Sequence, residues 1–247
     1  MIDRSTARRN KLLAALVDSD LDILLPSLTL QDCATGKILQ EAGTDVFHAW
    51  FPCDAAAASF VVAADSNRMV DAALIGREGA VGGLVSAGRL PAFARSHVQF
   101  GGQFLRISLS AMENAKLQSP AIVNWVARYG DCIVAQLFQS AACNATHTIA
   151  QRLARWLLAT RDRIGSDEIV ITQEQLGEML GVGRSFINRS LRQLNTKSIL
   201  ASRRRRILIL DVDALHRVAC ACNDRVRGHF DTILAGVYPR EHDAAAA

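Results

Sequence analysis

Residues 171–194 read ITQEQLGEMLGVGRSFINRSLRQL, and this stretch decides the architecture of the C-terminal half. Thr172 is an N-cap residue type, and Leu176, Met179 and Leu180 recur at helical spacing until Gly181 interrupts them. Gly183-Arg184-Ser185 then opens a second helix whose inner face is Ile187, Leu191 and Leu194. Its outer side carries Ser185, Asn188, Arg189 and Arg192, with Arg184 in the exposed first turn. Two short helices, a tight turn and donors at the start of the second helix make a helix-turn-helix. The donors suit DNA, because Arg reads guanine bidentately, Asn reads adenine and Ser holds a phosphate. The plain alternative is a helix hairpin with a solvated basic face.

The residues that follow favour DNA. Ile199-Leu200, the run Arg203-Arg204-Arg205-Arg206, and Ile207-Leu208-Ile209-Leu210-Asp211 predict a two-stranded wing around an arginine turn. Adjacent guanidiniums at a loop tip repel unless an anion meets them, and a phosphate backbone does so with counterion release. A solvated basic turn or a nuclear signal is the alternative. The candidate DNA contacts are therefore Thr172, Arg184, Ser185, Asn188, Arg189, Arg192 and Arg203, Arg204, Arg205 and Arg206.

The 247 residues suffice for two domains, each with its own core. Half of them are hydrophobic and the net charge is only +4, so the basic residues matter through their placement. Cysteines at 33, 53, 132, 143, 220 and 222 show no spacing of a secreted disulfide framework. Cys220-Ala-Cys222 is the close pair, and no His–Cys grouping nearby in sequence completes a set of four, so neither metal nor cofactor is expected. Without a long apolar run or cleavage site, the chain is expected to be soluble, cytoplasmic and off the membrane.

Residues 10–25 predict one or two short amphipathic helices. Residues 28–108 are punctuated by glycine and contain candidate strands at 59–63, 70–75, 97–100 and 104–108, which suggests an antiparallel barrel or sandwich. Ser119-Pro120 starts a long helix along which Ile122, Val126, Tyr129, Ile133 and Leu137 recur, with Trp125, Cys132 and Ala135 as a second apolar set. A helix apolar on two sides needs two partners, expected to be the β domain and a second copy, with Ile133 and Leu137 in the seam. Asn144 marks the expected hinge. Thr148 caps a further helix, with Ile149, Leu153, Trp156 and Leu157 inward and Arg152, Arg155 and Arg161 outward, ending near Gly165. A short strand at 166–171, a closing helix at 212–223 and a disordered tail at 243–247 complete the reading.

This order resembles the CRP/FNR family of bacterial transcription regulators, most closely in LGEMLGVGRSFINRSLRQL, and the resemblance spans about residues 10–223. It implies an α+β protein: a jelly-roll β-barrel of the cyclic-nucleotide-binding type over 10–118, a dimerisation helix over 119–143 and a winged helix-turn-helix over 144–225. It also implies a homodimer on pseudo-palindromic double-stranded DNA, contact with RNA polymerase, control by an effector that the sequence does not identify, and no catalysis. Arg184 and Arg189 fall on the family's two arginine positions, whereas Ser185 stands where glutamate is common. In GREGAVGGLVSAGRLPAFARS, Gly83 stands at the ribose-binding glutamate and Ala92-Phe93 at the phosphate-binding arginine pair. That implies a branch without the phosphate cassette, with Phe93 filling the barrel interior and Arg89 and Arg95 as nearby cations. Cys33 and Cys53 stand alone, which does not fit an iron–sulfur cluster. A cupin-like barrel with a helical appendage is the competing class, but His48 and His97 lack its His-x-His spacing.

Overall fold

The computed structural model describes residues 2–63, 69–84 and 90–238. Three short helices, α1 (Arg4–Ala7), α2 (Lys11–Ala14) and α3 (Asp18–Leu24), open the chain. Their leucines Leu12, Leu13, Leu16, Leu21 and Leu24 are all buried. Among the described residues, eight strands follow: β1 (Thr29–Cys33), β2 (Ile38–Gln40), β3 (His48–Pro52), β4 (Ala57–Ala63), β5 (Met69–Ile75), β6 (Val81–Gly82), β7 (Arg95–Phe100) and β8 (Gly102–Ser108). They form two antiparallel sheets in the orders β1-β8-β3-β6 and β2-β7-β4-β5. Residues of both sheets, among them Trp50, Ala58, Ile75, Val98 and Phe104, enclose one buried cluster. The β domain is thus a two-sheet roll with a filled interior, the sandwich member of the expected pair.

Helix α4 (Leu109–Gln118) leads into α5 (Pro120–Thr146), with Ser119 as N-cap and Pro120 in the first turn, as the sequence predicts. One stripe of α5, carrying Ile122, Trp125, Val126, Tyr129 and Cys132, is buried in the core shared with the opening helices and the roll. Trp125 Nε1 donates to the Leu12 carbonyl at 2.8 Å, and the Tyr129 hydroxyl donates to Ala80 O at 2.6 Å while accepting from Ala80 N at 2.8 Å. The helix does not stop at Asn144. It runs to Thr146 and breaks at His147, whose extended backbone (φ −107°, ψ 148°) turns the chain. No helix among the described residues is long and apolar enough to cross a membrane.

The C-terminal domain comprises α6 (Ile149–Ile164), β9 (Glu168–Ile169), α7 (Gln173–Leu180), α8 (Arg184–Thr196), β10 (Leu200–Arg203), β11 (Arg206–Ile209) and α9 (Val212–Val218). Strands β10, β11 and β9 pair antiparallel in that order, and Leu153, Leu157, Ile169, Leu176, Ile187, Leu191 and Ile207 share its core. Where the sequence suggests one closing helix over 212–223, α9 is short and a separate helix α10 (Cys222–Ala235) returns along α5. Arg128 Nη1 donates to Ile233 O at 2.9 Å, and His229 pairs with Asp131 at 2.8 Å. The tail at 243–247 lies outside the described residues.

Candidate nucleic-acid interface

Helix α7 is held by a capping box. Thr172 Oγ1 accepts from Gln175 N at 3.1 Å, and Gln175 Oε1 accepts from Thr172 N at 2.9 Å. Two glycines then set the turn. Gly181 caps α7 in the left-handed region at φ 64°, and a Cβ at Gly177 would lie 2.8 Å from Val182 O, too close for any side chain. This lets α8 cross tightly over α7 with Ile187, Leu191 and Leu194 inward. Arg184, Ser185, Arg189 and Arg192 are exposed and Asn188 is half-buried, all on the outer side. Phe186, which the sequence reading passed over, is also exposed on that side, with the Arg189 guanidinium 6.0 Å from its ring.

The arginine turn is tighter than the run of four suggests. Arg203 pairs with Arg206 at the ends of β10 and β11, which leaves Arg204 and Arg205 as the turn itself. Arg205 sits at φ 62°, a region that favours glycine, and its carbonyl accepts from Ile171 N at 3.1 Å. Arg206 differs from the other three, because its Nη1 meets Glu168 Oε1 at 2.6 Å. Among the described residues no carboxylate pairs with Arg184, Arg189, Arg192, Arg203, Arg204 or Arg205. Arg184, Arg203, Arg204 and Arg205 border one cleft with Thr172 and Gln173, so the start of α8 and the wing tip face the same space.

The arginines of α6 do not join this surface: Arg152 turns inward, contrary to the outward face expected for it, while Arg161 stays outward but is taken up by an ion pair. Arg152 donates to Leu180 O at 2.5 Å and so satisfies the end of α7, and its burial lowers its pKa. Arg161 pairs with Asp167, and Arg163 with Glu78 of the β domain at 2.8 Å. The charge of Arg155 acts on Cys143.

In the roll, Phe93 does not fill the interior. It is 86% exposed, while Trp50, Phe104 and Val98 occupy that space. A Cβ at Gly83 would lie 2.6 Å from Leu109 Cδ1, so this position is closed by packing. Arg95 is committed to Glu41 at 2.7 Å, and Arg89 lies outside the described residues. His48 and His97, which a cupin-like centre would need together, fall on opposite sheets.

The expectation that no His–Cys set accompanies Cys220-Ala-Cys222 is overturned. The break after α5 places Cys143 and His147 against them, and the four donor atoms all lie within 4.8 Å of one another. Burial raises the Cys143 thiol pKa, against the opposing charge of Arg155. Sequence spacing could not show this, since the two halves are 77 residues apart.

Residues 151–218 match the Crp-like helix-turn-helix domain. No curated protein matches the sequence. Among solved structures, FixK2 from Bradyrhizobium japonicum is similar at TM-score 0.67 and 16% identity, over 78% of this chain and 98% of that one. A transcriptional regulator of the CRP/FNR family from Eubacterium rectale is similar at TM-score 0.63 and 16% identity, over 85% and 98%. The c-di-GMP responsive regulator CLP of Xanthomonas campestris is similar at TM-score 0.63 and 14% identity, over 78% and 99%.

Proposed function

We propose that this chain, a DNA-binding transcription regulator of the CRP/FNR type with a Crp-like helix-turn-helix domain, works as a homodimer on a pseudo-palindromic site in double-stranded DNA. The observation that carries this reading is that Arg184 of α8 and Arg203, Arg204 and Arg205 of the wing, none paired with a carboxylate among the described residues, border one cleft, with Glu174 the acidic residue on its rim. Arg184 and Arg189 enter the major groove and read guanine edges, Asn188 reads adenine, and Phe186 meets a thymine methyl. Ser185 and Arg192 hold the flanking backbone, as does Thr172, whose hydroxyl accepts within the capping box and keeps its own proton for a phosphate oxygen. Arg203, Arg204 and Arg205 hold phosphates beyond the recognition helix, and Arg206 contributes less because Glu168 already balances it.

The dimer seam is the outer stripe of α5. Val123, Ala127, Gly130, Val134, Leu137 and Ala141 follow one another in alternating steps of four and three residues, the spacing of a two-stranded coiled coil. Val123, Val134 and Leu137 are exposed in the single chain, and Phe138 beside them is 72% exposed. Ile133, expected in the seam, packs inward against the cores of the roll instead.

A second copy related by a two-fold axis sets the spacing of two recognition helices and matches two half-sites. The roll takes its signal by a route other than the phosphate cassette, and the bound dimer meets RNA polymerase in the cytoplasm. Selecting bound duplexes from a random pool and sedimenting the complex tests this. A two-fold symmetric site with two chains per duplex is expected. No enriched sequence, or one chain per duplex, overturns it. Calorimetric titration with cyclic AMP and cyclic GMP is expected to show no binding heat.

A further inference from the structure

Cys143, Cys220 and Cys222 are buried together as a small cluster apart from the main cores, with no aliphatic side chain among them. Packing therefore does not account for three thiols in one place. Cys143 lies in the last turn of α5 and His147 is the residue that ends it, its N–H bonded to the Cys143 carbonyl at 3.1 Å, which keeps the two side by side. Cys220 lies between α9 and α10, and Cys222 is the first residue of α10. The edges of the set are set by chemistry as well as by fold. Cys143 Sγ lies 3.6 Å from Cys220 Sγ, and Cys222 Sγ lies 3.7 Å from His147 Nδ1. A tetrahedral centre with metal–sulfur bonds of about 2.3 Å and a metal–nitrogen bond of about 2.0 Å has edges of about 3.5–3.8 Å. These two edges fall within that range, and all four donor atoms lie within 4.8 Å of one another, whereas a disulfide needs sulfurs about 2.05 Å apart.

We propose that Cys143, His147, Cys220 and Cys222 bind one divalent cation of the zinc class, which clamps the end of α5 to the junction of α9 and α10. Three sulfurs and one imidazole nitrogen within 4.8 Å of one another select zinc over the oxygen-seeking magnesium and calcium. All four protein donors are supplied, which makes the site a closed, structural one. On binding, each thiol gives its proton to solvent and the imidazole binds as the neutral ring. The centre then carries one net negative charge, and the positive charge of Arg155, which acts on Cys143, offsets it. Gln139 Nε2 donates to Cys222 Sγ at 3.1 Å, an outer hydrogen bond that orients a thiolate ligand. His147 is also the residue at which α5 breaks. The cation thus fixes the direction in which the DNA-binding domain leaves the long helix, and its occupancy sets how well that domain is preorganised for DNA.

Cobalt(II) is the probe, because thiolate ligands give it intense near-ultraviolet charge-transfer bands and tetrahedral geometry gives strong visible bands. Titrating the reduced full-length protein is expected to saturate these bands at about one cobalt per chain, and one zinc is expected to bleach them. Replacing both Cys220→Ser and Cys222→Ser should abolish them, while His147→Cys should retain them as a four-sulfur spectrum. Alkylation supplies a second readout that does not depend on the variants folding. Zinc should slow modification of Cys143, Cys220 and Cys222 and leave the rates at Cys33, Cys53 and Cys132 unchanged. The proposal is overturned by absent bands in the reduced protein, by unchanged bands in the double serine variant, by equal alkylation rates with and without zinc, or by a metal-free Cys143–Cys220 disulfide in protein isolated anaerobically. None of these readouts depends on DNA binding.

Discussion

The two apolar stripes of α5 are made of similar residues and meet different fates. Ile122, Trp125, Val126 and Tyr129 disappear into the chain's own core, while Val123, Val134, Leu137 and Phe138 stay at the surface. The difference lies in what each stripe carries besides carbon. The inner one holds Trp125 and Tyr129, whose polar atoms find the Leu12 and Ala80 backbone and so fix one register against the roll. The outer one has no side-chain polar atom to place, so nothing ties it to the chain's own backbone. Helix α8 repeats the contrast, with Ile187, Leu191 and Leu194 inside and the arginines outside. In both helices one stripe builds the fold, and the other stays at the surface.

The contrast breaks most visibly at Trp125. Trp125→Ala opens a cavity and removes the indole's bond to the Leu12 carbonyl, so it should destabilise the fold by about 3–5 kcal/mol in urea denaturation. A loss below about 1 kcal/mol would show that the inner stripe is not the folding face. Charging the outer stripe with Leu137→Asp and Phe138→Asp should leave the monomer folded by circular dichroism but yield single chains on sedimentation. Apparent DNA affinity should fall about a hundredfold, close to 2.7 kcal/mol. Unfolding of this variant would erase the distinction between the stripes.

Arg189→Ala tests the same division on α8. It should cost about 1–3 kcal/mol of specific binding and relax base preference, with unchanged thermal stability. Equal affinity in a gel-shift titration would remove α8 as the reading element. Arg205→Gly has the smallest effect and the most informative signs. Relief of the φ 62° backbone should stabilise the fold by about 0.5–1 kcal/mol, while binding to all sequences weakens and its salt slope flattens. Opposite signs in the two measurements would show that the arginine is kept there for a phosphate rather than for the turn.

Linear sequence determined whatever depends on neighbours along the chain. The capping boxes at Thr148 and Thr172, the Gly181 turn, the inner face of α8 and the arginine wing follow from spacing within a dozen residues, because caps, turns and helical periods are local. The tertiary structure decided what depends on distant segments. It chose which stripe of α5 went inward, spent Arg152 on the end of α7, Arg161 on Asp167 and Arg163 on the roll, turned Phe93 out to solvent, and carried α10 back along α5. It also joined Cys143 and His147 to Cys220 and Cys222. Two pairs 77 residues apart have no shared period, and only the break at His147 and the short α9 bring their sulfurs and nitrogen within bonding reach of one ion.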